Sequence, residues 1–173
     1  MKYNLIDECE AVNGKGFGVS LYTQGCPYHC PGCFNPDTWD FNKGKTWTQE
    51  TEDYIIELLK PEYIKRLTIL GGEPLIERNI EPLTALLRRV KAIYPEKSIW
   101  LYTGGNFEFE SVRCDNLIEQ VDILIDGQFK KDLRDITLRW KGSSNQRVID
   151  VQKSLKEKET ILYEEQKVNK VLV

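Results

Sequence analysis

A chain of 173 residues, 40% apolar and 29% charged, has room for one domain with a substantial core and the composition of an ordinary soluble globular protein. Its formal net charge of -3 and pI near 5.4 give no basic excess with which to displace counterions, so no nucleic-acid partner is expected. No run approaches the roughly 18 apolar residues of a membrane span, and the acidic stretch MKYNLIDECEAVNGKG does not read as a secretory leader. A cytoplasmic location without a membrane partner is the expectation.

In chain order, VSLYTQ (19–24) is a β-rich run that ends at Gly25 and delivers the chain into a cysteine-rich loop. Residues 34–46 carry Asn35, Pro36, Asp37 and Gly44 and read as irregular. Thr48 is placed to cap a helix over 49–60, with Tyr54, Ile55, Leu58 and Leu59 on one face. RLTIL (66–70) is a second strand, cut off by GGEP. Ile80, Leu83, Leu86, Leu87, Val90 and Ile93 then recur at three- and four-residue steps, with Arg88, Arg89 and Lys91 opposite, as in an amphipathic helix lying on a sheet. SIWLYT (98–103) predicts a strand ending at Gly104-Gly105, 117–120 a helical turn, VDILID (121–126) a strand ending at Gly127, and 147–151 one more strand.

This alternation is the pattern of an α/β fold with a mostly parallel sheet. Four or five βα units are too few to close an eight-stranded barrel, so a single-domain, open or partial (β/α) barrel is expected over residues 1–155, with 156–173 as an appendage. Glycine-containing loops gather at the carboxyl ends of the strands, the side on which parallel sheets bind ligands.

Five cysteines, Cys9, Cys26, Cys30, Cys33 and Cys114, are an odd number with three clustered, which in a reducing compartment points to metal rather than disulfides. Soft thiolates select zinc, copper(I) or iron–sulfur clusters. A structural zinc ion closes with four ligands, normally two separated pairs. Here there is one group. His29, directly before Cys30, is badly placed for the same tetrahedron, and Cys9 and Cys114 have no partner at ligand spacing. A 4Fe-4S cubane on three cysteines keeps one iron free of protein, a defect in a plain electron carrier but useful if that iron binds something that reacts.

CxxxCxxC leaving the first strand, followed by GGEP after the second, resembles the radical S-adenosylmethionine (SAM) superfamily. The resemblance implies a 4Fe-4S cluster on Cys26, Cys30 and Cys33, with SAM chelating the open iron and cleaved reductively to a 5′-deoxyadenosyl radical. It assigns GGEP, with Gly71, Gly72 and Glu73, to the methionyl ammonium. Many members place an aromatic residue before the third cysteine; this chain has Gly32, so the adenine contact passes to backbone near Cys33 or to Phe34. Thr103 and Asp126, at strand ends, are further SAM candidates, each also readable as ordinary strand termination.

VNGKG, GCPYHCPGCFNPDTW, LGGEP, WLYTGG, VDILIDGQF and WKGSSNQRVIDV, in that order, are similar to the activating proteins of anaerobic (class III) ribonucleoside-triphosphate reductases. This implies removal of a Cα hydrogen from a glycine of the reductase large subunit, on its glycyl radical loop, with flavodoxin or ferredoxin as electron donor. Asn35, Trp39, Ser143, Ser144, Asn145, Gln146 and Arg147 are the candidate docking residues. The chain departs from that family at GFGV (16–19), before the first strand, and at Lys141, both usual places for arginine. The competing readings are an activase of another glycyl-radical enzyme, a small-molecule enzyme of deazapurine synthase type, and a non-catalytic zinc module. Trp39, Trp47, Trp100 and Trp140 read as packing residues rather than substrate platforms.

Overall fold

The computed structural model describes residues 1–108 and 116–164; Cys114 and residues 165–173 lie outside them. The elements run β1 (Lys2–Glu10), β2 (Phe17–Thr23), β3 (Lys45–Thr46), α1 (Gln49–Leu58), β4 (Ile64–Gly71), α2 (Glu77–Ile93), β5 (Ser98–Tyr102), β6 (Ile123–Asp126), β7 (Arg147–Asp150) and α3 (Val151–Glu157). They build a mixed α/β fold on one seven-stranded, mostly parallel sheet of order β3-β1-β2-β4-β5-β6-β7. The four central strands are parallel, β1 and β7 flank them antiparallel, and β3 pairs antiparallel with the outer edge of β1.

Register follows from burial. Val19 pairs with Leu67, Leu21 with Ile69, Leu67 with Ile99, and Ile69 and Leu124 each with Leu101. Because side chains alternate along a strand, these residues share one face. Leu83, Leu86, Leu87 and Val90 of α2, Ile55 and Ile56 of α1, Leu59, and Val151 of α3 close over that face in a single cluster. Burying each large aliphatic side chain there is worth about 1.5–3 kcal/mol. Thr48 caps α1, its Oγ1 accepting from Thr51 N.

The opposite face is different in kind. It carries Ser20 and Tyr22 of β2, Arg66 and Thr68 of β4, Trp100 and Tyr102 of β5, and Ile123 and Ile125 of β6. Its apolar part is the small cluster of Trp100, Ile123 and Ile125, flanked by Tyr102, Trp140, Val148 and Tyr163. Its polar part is a hydrogen-bonded network around Arg66. Arg66, fully buried, donates through NH1 to Glu10 Oε1 at 2.5 Å and to Thr68 Oγ1 at 2.7 Å. Glu10 also accepts from Ser20 Oγ and from the amides of Val12 and Asn13. Burial alone would raise the Glu10 carboxyl; the Arg66 and Ser20 hydrogen bonds win and hold it below the ordinary range.

Three expectations change. The N-terminal segment, not read as a strand, is β1: its half-exposed residues show no clean alternation, and it is fixed by pairing with β2. The flanking strands are antiparallel, so 147–150 closes the sheet as a return strand rather than a further βα unit. In α1, Tyr54 faces outward, where its hydroxyl donates to Glu8, and Ile56 takes the buried place beside Ile55 and Leu59. Helix α3 was not foreseen either. Beyond it, Tyr163 N donates to Val148 O, and its ring packs on Trp100 and Trp140.

Candidate functional site

β2 ends at Thr23, and the next residues anchor the cysteine loop at both ends. Gly25 N donates to Thr38 O at 2.7 Å and Cys26 N to Trp39 O at 3.1 Å. The buried Gln24 spans the loop's base, its Nε2 donating to Asp37 O and Asp40 O, while Arg78 NH2 holds Gln24 O at 2.6 Å. Inside the loop, Cys33 N donates to Cys30 O at 3.0 Å and Asn35 N to Cys33 Sγ at 3.3 Å. Outside it, the exposed His29 ring stacks on Trp39 with centroids 4.8 Å apart.

GGEP is bound to the same base. Gly72 N donates to Thr23 O at 2.9 Å and Glu73 N to Gly25 O at 2.8 Å. A Cβ on Gly72 would lie 2.5 Å from Gly25 O, so only glycine lets the two chain segments meet. This holds Glu73 next to the cysteine loop with its carboxylate buried. Oε1 accepts from Leu75 N at 2.9 Å and Thr103 Oγ1 at 2.8 Å, and Oε2 from Gly104 N at 2.8 Å. Burial pushes the Glu73 carboxyl up, opposed by those three donors. With two donors on one oxygen and one on the other, Oε2 keeps acceptor capacity.

A cavity of about 430 Å³ opens at the carboxyl ends of β2, β4 and β5. Cys26, Cys30 and Cys33 line one side, Gly71, Gly72 and Glu73 another, and Tyr102, Thr103 and Gly104 a third. Phe129, Leu138, Trp140 and Gly142, from the β6–β7 loop, complete the wall, while Tyr22 and Asn13 join it from the sheet side. Burial pushes the Cys26 and Cys30 thiols up, with the Cys33 thiol adding to the effect on Cys30. Among the described residues no three His, Cys, Asp or Glu side chains are already gathered into a cage for a single ion; the three thiols stand along one side of the cavity.

A profile of the 4Fe-4S single cluster domain family matches residues 12–149. A protein of Enterobacteria phage T4 is 40% identical over 148 residues, covering 86% of this chain and 93% of its own length. Relatives from Escherichia coli K12, at 37%, and Vibrio cholerae, at 38%, are each covered over 96% of their length by 84% of this chain. All three are named anaerobic ribonucleoside-triphosphate reductase-activating protein. The chain belongs to this family. Its matched span includes the cysteine loop, GGEP and GSSNQR, so every candidate site residue falls within it.

Against that span, the structure gathers some sequence candidates and not others. Cys26, Cys30, Cys33, Phe34, Asn35, Gly71, Gly72, Glu73, Thr103 and Gln146 line the cavity; Gly32, Trp39, Asp126, Ser143, Ser144, Asn145 and Arg147 do not. Asp126 is buried and committed elsewhere. It takes Arg147 Nε at 3.0 Å and NH2 at 2.5 Å, and accepts from Phe107 N at 2.7 Å. Gln146 organises GSSNQR from within: Oε1 accepts from Gly142 N and Ser143 N, and Nε2 donates to Gly127 O. Lys141 Nζ donates to Gln146 O, so the lysine that stands for the family's arginine braces this loop and lines the cavity.

Tyr28, Tyr22, Asn13, Phe129 and Trp140 line the cavity without having been foreseen there. Only Tyr28 left a trace in sequence, as the bulky residue inside CPYHC opposite the Gly104-Gly105 pair: a Cβ on Gly104 would lie 2.4 Å from its ring.

Proposed function

We propose that this chain is a radical SAM activase that installs a glycyl radical on the large subunit of an anaerobic ribonucleoside-triphosphate reductase. The observation that carries the reading is the shared cavity: three thiols at adjoining loop positions and one buried carboxylate with spare acceptor capacity face the same space. Cys26, Cys30 and Cys33 would hold the 4Fe-4S cluster. Glu73 Oε2 would take the methionyl ammonium of SAM, a charge-assisted bond to a carboxylate only 3% exposed. When bound, cluster and SAM supply a carbon-centred radical able to remove a glycine Cα hydrogen.

The chain's own residues do the rest. Thr103 and the Leu75 and Gly104 amides fix the Glu73 carboxylate before ligand arrives. Phe129, Leu138 and Trp140 give the cavity wall its apolar surface. Asn35 and Gln146 at the cavity wall, with Trp39, Ser143, Ser144, Asn145 and Arg147 nearby in sequence, serve the docking of the reductase. Trp39 Nε1 and Asn145 Oδ1 are buried without a hydrogen-bond partner among the described residues, which suits a surface completed by another chain. Helices on one sheet face and a cavity on the other support an open, partial (β/α) barrel. No helix among the described residues is long and apolar enough to cross a membrane, and cytoplasmic residence with a flavodoxin or ferredoxin donor completes the reading.

Anaerobic reconstitution with iron and sulfide tests it. The wild-type protein should take up four irons in the roughly cubane stoichiometry of a single cluster, turn brown, and release 5′-deoxyadenosine from SAM under dithionite. Cys30→Ala should lose both properties while melting normally, because Cys30 is in neither core cluster. A colourless protein with one tightly held zinc would overturn the proposal.

A further inference from the structure

The β6–β7 loop concentrates charge that the rest of the chain does not share. KKDLRDITLRWK (130–141) holds five cations and two carboxylates in a protein of formal net charge -3. Asp135 is turned into its own loop, accepting from Thr137 N and Oγ1. Among the described residues, none of the ion pairs uses Lys130, Lys131 or Arg134. All three are exposed.

These cations stand beside the cysteine loop. A Cβ on Gly32, between Cys30 and Cys33, would meet Lys131 Cδ at 3.4 Å and Phe129 Cε1 at 3.6 Å. The Arg134 guanidinium lies 5.4 Å from the centroid of Phe34, the residue after Cys33, and Phe34 packs on Phe129. Phe34 is 60% and Leu133 42% exposed. An apolar centre ringed by unpaired cations is the anatomy of a protein-docking patch, and Pro31 and Gly32 in front of it are also open to solvent.

From this geometry we infer that Lys130, Lys131 and Arg134, around Phe34 and Leu133, dock a small one-electron carrier protein with an acidic surface around its redox group. The inference rests on the activase reading, which requires one electron per turnover at the cysteine loop. The carrier is oxidised by one electron, which passes to the cluster; no bond forms or breaks at the interface. Location decides between this partner and the reductase. Lys130, Lys131 and Arg134 do not line the cavity, and Lys131 stands against the exposed Gly32 between Cys30 and Cys33, a short route to the cysteines that leaves the cavity free for the reductase glycine. The acidic remainder of the surface repels an acidic carrier elsewhere, so this patch fixes its orientation as well as its encounter rate.

The test compares the wild-type protein with the double variant Lys131→Glu/Arg134→Glu and the charge-keeping Lys131→Arg/Arg134→Lys. Calorimetric titration with oxidised flavodoxin should show the reversal variant binding at least about tenfold more weakly at low salt, with the wild-type advantage shrinking as salt rises. Stopped-flow reduction by reduced flavodoxin should slow by a similar factor. Reduction by dithionite, and reductase activation driven by dithionite, should be unchanged, and the charge-keeping variant should match wild type throughout. Unchanged flavodoxin binding would overturn the inference. So would lost reductase activation under dithionite, which would make the patch the reductase's dock. A wild-type protein that binds flavodoxin but cleaves no SAM under dithionite would instead overturn the activase reading beneath it.

Discussion

The two faces of the central sheet are both covered, yet they are covered with opposite materials. Three helices close one face with aliphatic side chains in a single cluster. The other holds a buried arginine, its carboxylate partner, two phenols and a small aromatic group, and leads at its carboxyl end into the cavity. Both sides of the strands therefore carry stability, but only one, a residue out of register with the helix-covered side, leads into the chemistry. Substitutions on the helix face should change folding alone, and substitutions on the far face should disturb the site.

The largest effect should come from Arg66→Ala. It strands Glu10, whose side chain is 8% exposed against an arginine at 0%, and breaking such a buried pair costs about 3–5 kcal/mol. Urea denaturation measures it, and adding Glu10→Gln should recover part of the loss. The pair also sets an acid limb: with the folded Glu10 pKa below 4.5, its stabilisation is present above that value and lost as pH falls through the lower folded one. Arg66→Ala should flatten this limb. A loss under about 1 kcal/mol would mean that the polar face does not depend on the pair.

Leu86→Ala on the helix face should cost about 2–5 kcal/mol while leaving iron uptake and SAM binding intact in the protein that remains folded. If ligand binding falls as well, the division between faces is wrong.

Glu73→Gln should cost less, about 1–3 kcal/mol, because one of the three donors then faces an NH₂ group. Its pH signature is the sharper test. The folded Glu73 pKa is raised above 4.5, so the native state holds the extra proton, and wild-type stability falls as pH climbs from 4.5 to the folded value. The glutamine variant should lack that slope. SAM binding should behave oppositely, weakening in wild type as pH drops through the raised pKa. Equilibrium dialysis with SAM across that range checks it; pH-independent binding would remove Glu73 from the ammonium site.

Thr48→Ala is the smallest, about 1 kcal/mol for a lost helix cap, with no change at the site. An effect on cluster uptake would show that α1 reaches the chemistry.

How much of this was readable in sequence depends on locality. The central strands and α2 were legible because parallel strands buried by helices read as apolar runs and the helix repeats every three to four residues. The cysteine loop and GGEP were legible because their residues are neighbours in the chain. What escaped was non-local. Asp126 read equally as a ligand contact or a strand-end carboxylate; its partner Arg147 stands 21 residues on and is supplied only by the antiparallel return of β7. The Glu10–Arg66 network joins residues 56 apart, and nothing near Arg66 in sequence announces a buried charge. The close approach of Gly72 to Gly25 is likewise a contact between distant segments that GGEP alone does not announce. Short α3 escaped because seven residues offer barely two turns of periodicity and one cap, Asp150.

The central claim is that radical chemistry started at the cysteine loop ends on another chain. Electron paramagnetic resonance of the reductase, mixed anaerobically with this protein, SAM and dithionite, tests it most directly, using reductase with α-deuterated glycine. The account predicts a glycyl radical on the reductase, deuterium in the 5′-deoxyadenosine released, and neither with Cys30→Ala. Deoxyadenosine without deuterium and without a reductase radical would contradict it.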